Sequence, residues 1–287
     1  MSGTLRPPPA PRGRIFDFRG TPVRVGHLRA PDPIKIAELW ARGAWHELLA
    51  HVRPQPKMAD TAPTPPAAVD YSTQAQAGLA TMLRNDVLGD CGPASDLHLL
   101  ALRTGVAGDP YVPVDADAVS EYEGEAGYNP SDPSTDTGSD PLAMCQWRQA
   151  NAYPDGSSLV SYVPVDPTDR QRLCQGIWLA VGVMAWGCLT SSCEGNTTLW
   201  DAGDQDPEAG HLFAYVGWTD TGPLVSTWGD IVQATWAFAA QVCTQANGGG
   251  CLALVDADCL SRATGLTPAG TDLSGLESYL AGLGGAS

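Results

Sequence analysis

The sequence predicts an α+β domain, and two stretches carry that expectation. In the first, Asn85-Asp86-Val87-Leu88-Gly89-Asp90-Cys91-Gly92-Pro93 forms an Asp/Gly turn that hands over to an apolar run through Leu97, Leu99, Leu100, Ala101 and Leu102. This predicts a helix starting at or just after Cys91, with Pro93 tolerated in its first turn. In the second, Gly210-His211 opens the apolar run Leu212 to Val216, a turn follows at Thr219 to Pro223, and Leu224-Val225-Ser226-Thr227-Trp228-Gly229 returns. That reads as an antiparallel hairpin with a histidine at its mouth.

The two stretches also hold the candidate chemistry. A thiol at a helix start lies among unpaired amides and the positive end of the helix dipole, which favour thiolate over thiol. Such a thiolate is a nucleophile once a base stands nearby, and His211 is the candidate base. His98 lies seven residues after Cys91 on the same helical face, roughly 10 Å along the axis, and is expected to be a packed histidine. A single cysteine is more commonly a buried structural residue, so the pairing with His211 is what would set Cys91 apart.

Gly89-Asp90-Cys91-Gly92, Ala209-Gly210-His211 and Ser226-Thr227-Trp228-Gly229, in that order, resemble the marks of the papain-like cysteine peptidases. In that family a Cys opens the central helix, a Gly-His precedes a strand, and an Asn-Ser-Trp-Gly lies on the next strand. Ala68-Val69-Asp70-Tyr71 resembles the Val-Asp-Trp that opens the mature domains. A closer resemblance is to bacterial and phage-encoded proteins with an Asn-Asp-x-x-Gly-Asp-Cys motif, a Thr-Trp-Gly, a Thr-Trp-Ala-Phe (here Thr235 to Phe238) and an acidic, Leu-rich tail. The likeness runs from about Ala67 to Leu283 and leaves out the first sixty-odd residues.

The resemblance implies a papain-like fold, in which the Cys-bearing central helix packs on an antiparallel sheet or barrel carrying the His. It also implies acyl transfer to a peptide or amide substrate. Cys91 would attack the carbonyl, and His211 would hold the ion pair and protonate the leaving group. Asn85 stands where the family has an oxyanion-binding Gln, one methylene shorter. Ser226 stands where the family has the Asn that orients the imidazole, and Trp228 would shield that contact from water. These departures leave two functions open: a cysteine peptidase or amidase, and a structural virion-type protein that has a papain-like body of low or no activity.

At 287 residues, one large domain with an appendage is expected. The net charge of -16 is unevenly placed. Residues 1–57 hold ten Lys/Arg against four Asp/Glu, for +6, and the rest hold six against twenty-eight, for -22. The acidic body excludes nucleic acid and anionic membranes as its partners, whereas the basic arm leaves nucleic acid or an acidic protein surface open. The N-terminal residues lack the apolar core of a signal peptide, and the run from Ile177 to Leu189 is too short to span a bilayer. The expectation is a protein made in the cytoplasm and, on the second function, incorporated into a virion.

Eight cysteines include Cys188/Cys193 and Cys243/Cys251, each pair close enough for a loop-closing disulfide, although spacing leaves the connectivity open. With no Cys-x-x-Cys and scattered histidines, no metal and no cofactor are expected. The run Asp132 to Asp140 lacks the Gly and Glu of a calcium loop and reads as a solvated turn.

Along the chain, residues 1–57 read as a basic, Pro-rich arm, extended over 1–31, with an amphipathic helix at about 32–52. Residues 58–66 are a Pro-rich linker, and 67–287 the papain-like domain. The arm is expected to reach away from its own body and bury the apolar face of its helix against a neighbouring chain. Within the domain, 72–84 reads as a short helix or irregular run and 105–152 as loop-rich, with a helix ending near Gln149. A helix is expected at Thr168 to Gln175, a buried strand at Ile177 to Trp186, a polar cleft lining over Gly187 to Gly210 that includes Trp200, a last strand at Cys251 to Val255, and a terminal helix from Leu273 to Leu283.

Overall fold

A computed structural model describes residues 14–25, 63–195 and 197–284. The helix expected at 32–52, and most of the linker, lie outside the described residues. The organising element is a helix at Cys91–Ala107, of whose seventeen residues fifteen are buried. Apolar residues fall on every face of it, the signature of a helix covered nearly all round. In chain order the other helices are α1 (Gln76–Leu79), α3 (Asp115–Ala126), α4 (Pro141–Ala150), α5 (Arg170–Leu179), α6 (Trp236–Val242) and α7 (Leu273–Gly284), with Cys91–Ala107 as α2.

The strands are β1 (Arg14–Phe18), β2 (Thr21–Val25), β3 (Val69–Asp70), β4 (Ser161–Pro164), β5 (Val183–Thr190), β6 (Leu199–Trp200), β7 (Gln205–Trp218), β8 (Pro223–Thr227), β9 (Asp230–Ala234) and β10 (Gly250–Val255). The large sheet runs β4-β10-β5-β7-β8-β9-β6, with β3 added to the end of β7. All its pairings are antiparallel except β6 with β9. Both sheet faces are covered, and strand alternation divides them cleanly. Met184, Trp186, Leu212, Ala214 and Val216 face α2 together with Cys91, Leu97 and Leu100. Val183, Ala185, Phe213 and Tyr215 face the opposite core, built from α5, α6 and the β1–β2 hairpin. Gly187 is obligatory in this packing, because a Cβ there would meet the Val242 carbonyl of α6 at 2.1 Å.

A helix without a solvent face must satisfy its polar side chains internally. Asp96 accepts from Arg148 of α4 at 3.0 Å and from the Tyr153 hydroxyl at 2.9 Å. Arg148 also pairs with Glu121 of α3, and its guanidinium lies 4.3 Å from the centre of the Tyr153 ring. Arg103 forms a 2.8 Å ion pair with Asp256 just beyond β10, with both side chains fully buried. The Nε2 of His98 donates to the Thr81 carbonyl at 3.0 Å, the packed role expected for it.

Several sequence-based expectations are corrected. The extended arm is, over 14–25, a two-stranded hairpin folded onto its own body, with Phe16, Phe18, Val23 and Val25 buried in the core. The Arg19-Gly20 turn has φ of 52° and 84°, the geometry that two-residue hairpins favour. The stretch 177–186 is not one strand: α5 continues to Leu179, Val181 and Gly182 take φ of 52° and 107°, and β5 then begins. A continuously apolar run has no period by which to tell helix from strand. The loop-rich region contains α3, whose inward Ala118, Glu121 and Tyr122 have helical spacing, but a buried glutamate hides the pattern.

Trp200 is fully buried rather than lining a cleft. All eight cysteines are free thiols. Cys188 lies toward the Pro207 carbonyl at 3.9 Å, whereas the buried Cys193 lies 3.7 Å from the Thr190 hydroxyl, so their sulfurs face different surroundings. The helix near Gln149, the strand at 251–255 and the terminal helix are present as α4, β10 and α7. Among the described residues no helix is long and apolar enough to cross a membrane, and no group of three or more His, Cys, Asp or Glu could hold a metal ion.

The interior ion pairs give a test. Arg148→Met keeps the volume but leaves Asp96 and Glu121 without their cation, and should cost about 3–5 kcal/mol in chemical denaturation. A loss under about 1 kcal/mol would mean that the buried charges are solvated in some other way.

Candidate active site

Cys91 is the first residue of α2, with Asp90 as its N-cap residue. The loop leading to it bends through Leu83 and Arg84, both with positive φ (54° and 70°), which is uncommon for residues other than glycine. One carboxylate holds this loop. Asp136 accepts from the Gly89 amide at 2.9 Å, from the Tyr122 hydroxyl at 2.9 Å and from Arg24 of the N-terminal hairpin at 2.7 Å. The 132–140 stretch is therefore an anchor and not merely a solvated turn. Nothing local to Asp136 could have shown this, because its three partners lie on distant parts of the chain.

The Cys91 side chain is 3% exposed. Burial pushes its thiol up to about 12, with the nearby Asp90 and Glu125 acting in the same direction. The amides of Leu212 and Gly92 pull the other way through hydrogen bonds to the sulfur. Desolvation thus outweighs the helix start, and the thiol is neutral at pH 7.

His211 is fully buried in β7. Its Nε2 lies 2.8 Å from the Thr227 hydroxyl, and its ring stacks on the Trp228 indole with centroids 4.3 Å apart and planes at 18°. Its Nδ1 is buried without a hydrogen-bond partner. Burial pushes the imidazole down to about 3, so it too is neutral. The structure brings Cys91 to the strand that carries His211, one residue along at the Leu212 amide, but no hydrogen bond joins thiol and imidazole.

The hydroxyl that meets the imidazole belongs to Thr227, and Ser226 does not reach it. Ser226 lies opposite Ala214 in the β7–β8 register, so it shares the face of the even-numbered β7 residues. His211 and Phe213 belong to the other face, and Thr227 joins them there. The Ser226 hydroxyl is buried without a partner. A one-residue step in a strand moves a side chain to the opposite face, which matching of motifs does not register.

Trp228 stacks on the imidazole from a two-residue turn in which Trp228 and Gly229 have φ of 48° and 73°. A left-handed conformation costs a residue with a side chain about 1–2 kcal/mol. Here it is offset by the stack on His211, by Phe18 at 4.9 Å and by the edge of Trp200 at 6.1 Å. Asn85, the expected oxyanion donor, is 3% exposed and gives its amide to Asp90 at 3.3 Å.

The N-terminal hairpin completes the site. Its Phe18 lies against Trp228, and its arginines reach in two directions. Arg24 donates to the Val87 carbonyl at 3.0 Å and to Asp136, on the Cys91 side. Arg19 pairs with Asp230, and Arg14 with Glu194 and Asp206, on the sheet side. The hairpin therefore spans both halves of the site.

No family model and no curated protein matches the chain. Among solved structures it is similar to procathepsin L 3 of Tenebrio molitor larval midgut, with a TM-score of 0.51 and 12% identity over 74% of this chain and 78% of that one. Xylellain, a cysteine protease from Xylella fastidiosa, matches with a TM-score of 0.49 and 12% identity, over 71% of this chain and 94% of that one. The cysteine protease and lectin-like domains of Cwp84 from Clostridium difficile match with a TM-score of 0.49 and 12% identity, over 84% and 60%. The fold is that of the papain-like cysteine proteases.

Two measurements follow from the neutral pair. Iodoacetamide at pH 6 should modify Cys91 no faster than the half-exposed Cys188, since the thiolate fraction at Cys91 is minute. Faster modification of Cys91 would reveal an ion pair. In addition, His98 and His211, pushed down by burial to about 4 and about 3, must each take up a proton on unfolding below pH 6.5. Their stabilisation is full above pH 6.5 and is lost as pH falls toward 4. Asp90 and Asp256, pushed up by burial to about 8 and about 6, act in the opposite sense. The histidine contribution is therefore read as a difference: His98→Gln should flatten the fall in Tm between pH 6.5 and 4 relative to wild type. Parallel curves would count against it.

Proposed function

We propose that this chain is a papain-like cysteine peptidase or amidase held in a latent state, with Cys91 as nucleophile and His211 as acid and base. The observation that carries this reading is the use made of the two imidazole nitrogens. Nε2 is committed to Thr227 under the Trp228 ring, while Nδ1 is left unsatisfied in a strand whose next amide contacts the Cys91 thiol. A buried ring nitrogen without a partner is costly, and a thiol brought to it would be a chemically fitting partner.

Activation then needs a shift of the loop before Cys91 and of the β7 edge. That shift brings the thiol, now on the Leu212 face, to Nδ1 on the Phe213 face, and its proton passes to the imidazole. The thiolate attacks the substrate carbonyl, the first-turn amides of α2 hold the oxyanion, and the imidazolium protonates the departing amine. Water hydrolyses the acyl-enzyme with His211 as base. Thr227 positions the ring throughout. The hairpin opposes this change, since Arg24 holds the loop before Cys91 and Phe18 holds Trp228.

Burial of both reacting groups favours one second reading: a papain-like body of low or no activity, attached to neighbours through residues 1–57 as a virion component. The Asn85 to Cys91 motif is the sequence feature that suggests a phage-encoded lineage for this second reading. A peptidyl epoxysuccinate probe with peptide mapping separates the two. On the latent-enzyme reading the intact chain labels slowly at Cys91, Arg24→Ala raises the rate about tenfold or more, and His211→Ala abolishes labelling in both backgrounds. A folded Arg24→Ala protein that the probe never labels would leave the structural reading standing.

A further inference from the structure

The N-terminal hairpin is attached by its apolar side chains, yet one of its arginines fills a site of a different kind. Along β2, Val23 and Val25 are buried in the core, and Arg24 between them points the other way. Its Nη1 donates to the Asp136 carboxylate at 2.7 Å and to the Val87 carbonyl at 3.0 Å. The body holds the accepting groups in place by itself. Oδ1 of Asp136 accepts from the Gly89 amide and the Tyr122 hydroxyl, both at 2.9 Å, which leaves Oδ2 for the cation. The Asp136 side chain is 6% exposed and that of Arg24 is 33% exposed, so the guanidinium enters from the solvent side. Gly89 stands two residues before Cys91, no more than about 7.6 Å away between Cα atoms. This cradle therefore lies at the approach to the candidate nucleophile, within reach of a long side chain on a peptide bound there.

We propose that Asp136 and the Val87 carbonyl form a subsite for a basic side chain of the substrate, and that Arg24 occupies it in the latent chain. The preferred substrates are then peptides with arginine or lysine close to the bond that is cut. This inference rests on the latent-enzyme reading above. When the hairpin lifts, Oδ2 of Asp136 is left poorly hydrated and without a cation, which is unfavourable for a carboxylate. An entering guanidinium or ammonium restores the pair, and a neutral or acidic side chain does not. Both of the Arg24 contacts come from one nitrogen, so a lysine can reproduce them. The Val87 side chain, 43% exposed, offers an apolar surface along which the methylene stem of either can lie. The surroundings have the matching sign. Burial pushes Asp90 up to about 8, and Asp136 and Asp86 act in the same direction, while residues 58–287 hold six Lys/Arg against twenty-eight Asp/Glu. A cation is thus drawn to this approach and an anion repelled. Hairpin and substrate compete for one carboxylate, so a basic substrate also shifts the chain toward its open state.

The test uses the full-length Arg24→Ala protein and two epoxysuccinyl peptides that differ at one side chain, arginine in one and its uncharged isostere citrulline in the other. Peptide mapping reads the labelling of Cys91. The arginine probe should label faster by about tenfold or more. That preference should vanish in Arg24→Ala/Asp136→Asn, where the amide keeps an oxygen for Gly89 and Tyr122. Equal rates with the two probes, or a preference that persists in the double variant, would overturn the subsite and leave the latent-enzyme reading standing. No labelling by either probe would remove that reading, and the subsite with it. A second measurement needs no change at Asp136 and so is unaffected if that variant folds poorly. In the amide NMR spectrum of Arg24→Ala, excess Nα-acetylarginine methylamide should shift the Gly89 resonance, and the citrulline analogue should not. Equal shifts with both compounds, or no shift at Gly89, would also overturn the proposal.

Discussion

The structure depends on the near-complete burial of α2. A helix with no face to solvent can be stable only if everything around it is in place, since each of its polar side chains needs a partner from another element. Asp96 recruits Arg148 from α4, Arg148 recruits Glu121 from α3, and Arg103 recruits Asp256 from the end of β10. The helical half of the molecule and the sheet are thereby tied to one axis. Buried ion pairs add little net stability over an apolar core, but they penalise any packing in which a partner is missing. They make the position of α2 specific, and with it the position of the residue at its start.

The same burial explains the electrostatics of the candidate site. A helix start and two backbone amides would by themselves lower the Cys91 thiol. At 3% exposure, with Asp90 and Glu125 close by, desolvation dominates and the thiol rises instead. His211, without exposure and without a charged partner, falls for the same reason. An ion pair between the two would partly replace the lost hydration of each. Burial makes both groups neutral, and no direct thiol–imidazole contact offsets it.

The N-terminal hairpin shows how charge segregation acts in this chain. Its arginines are distributed over carboxylates on both sides of the site, each pair partly exposed and individually weak. Its four inward apolar side chains are buried almost completely and supply the larger share of its attachment at about 25 cal/mol per Å² of apolar surface. The arginines give orientation to a contact whose strength is apolar. Phe18 against Trp228 and Arg24 against the loop before Cys91 place that contact on the indole that covers His211 and on the turn that leads into α2.

What the sequence by itself determined was whatever is written in short-range patterns. The helix start at Cys91, the strand opening at His211, the hairpin return to Trp228, the last strand and the terminal helix all follow from turn residues and apolar runs, and the order of the motifs indicated the papain-like fold. The tertiary structure decided which side chains meet. The face assignment that selects Thr227 over Ser226 comes from the register of β8 on β7. Asp136 becomes an anchor only because Gly89, Tyr122 and Arg24 converge on it. The segment 14–25 becomes part of the core only once a sheet face exists to receive Phe16 and Phe18. The protonation of Cys91 and His211 is likewise a property of burial, which depends on every neighbour at once. Local propensity places a residue on an element, whereas register, packing and desolvation are collective and come into being only with the fold.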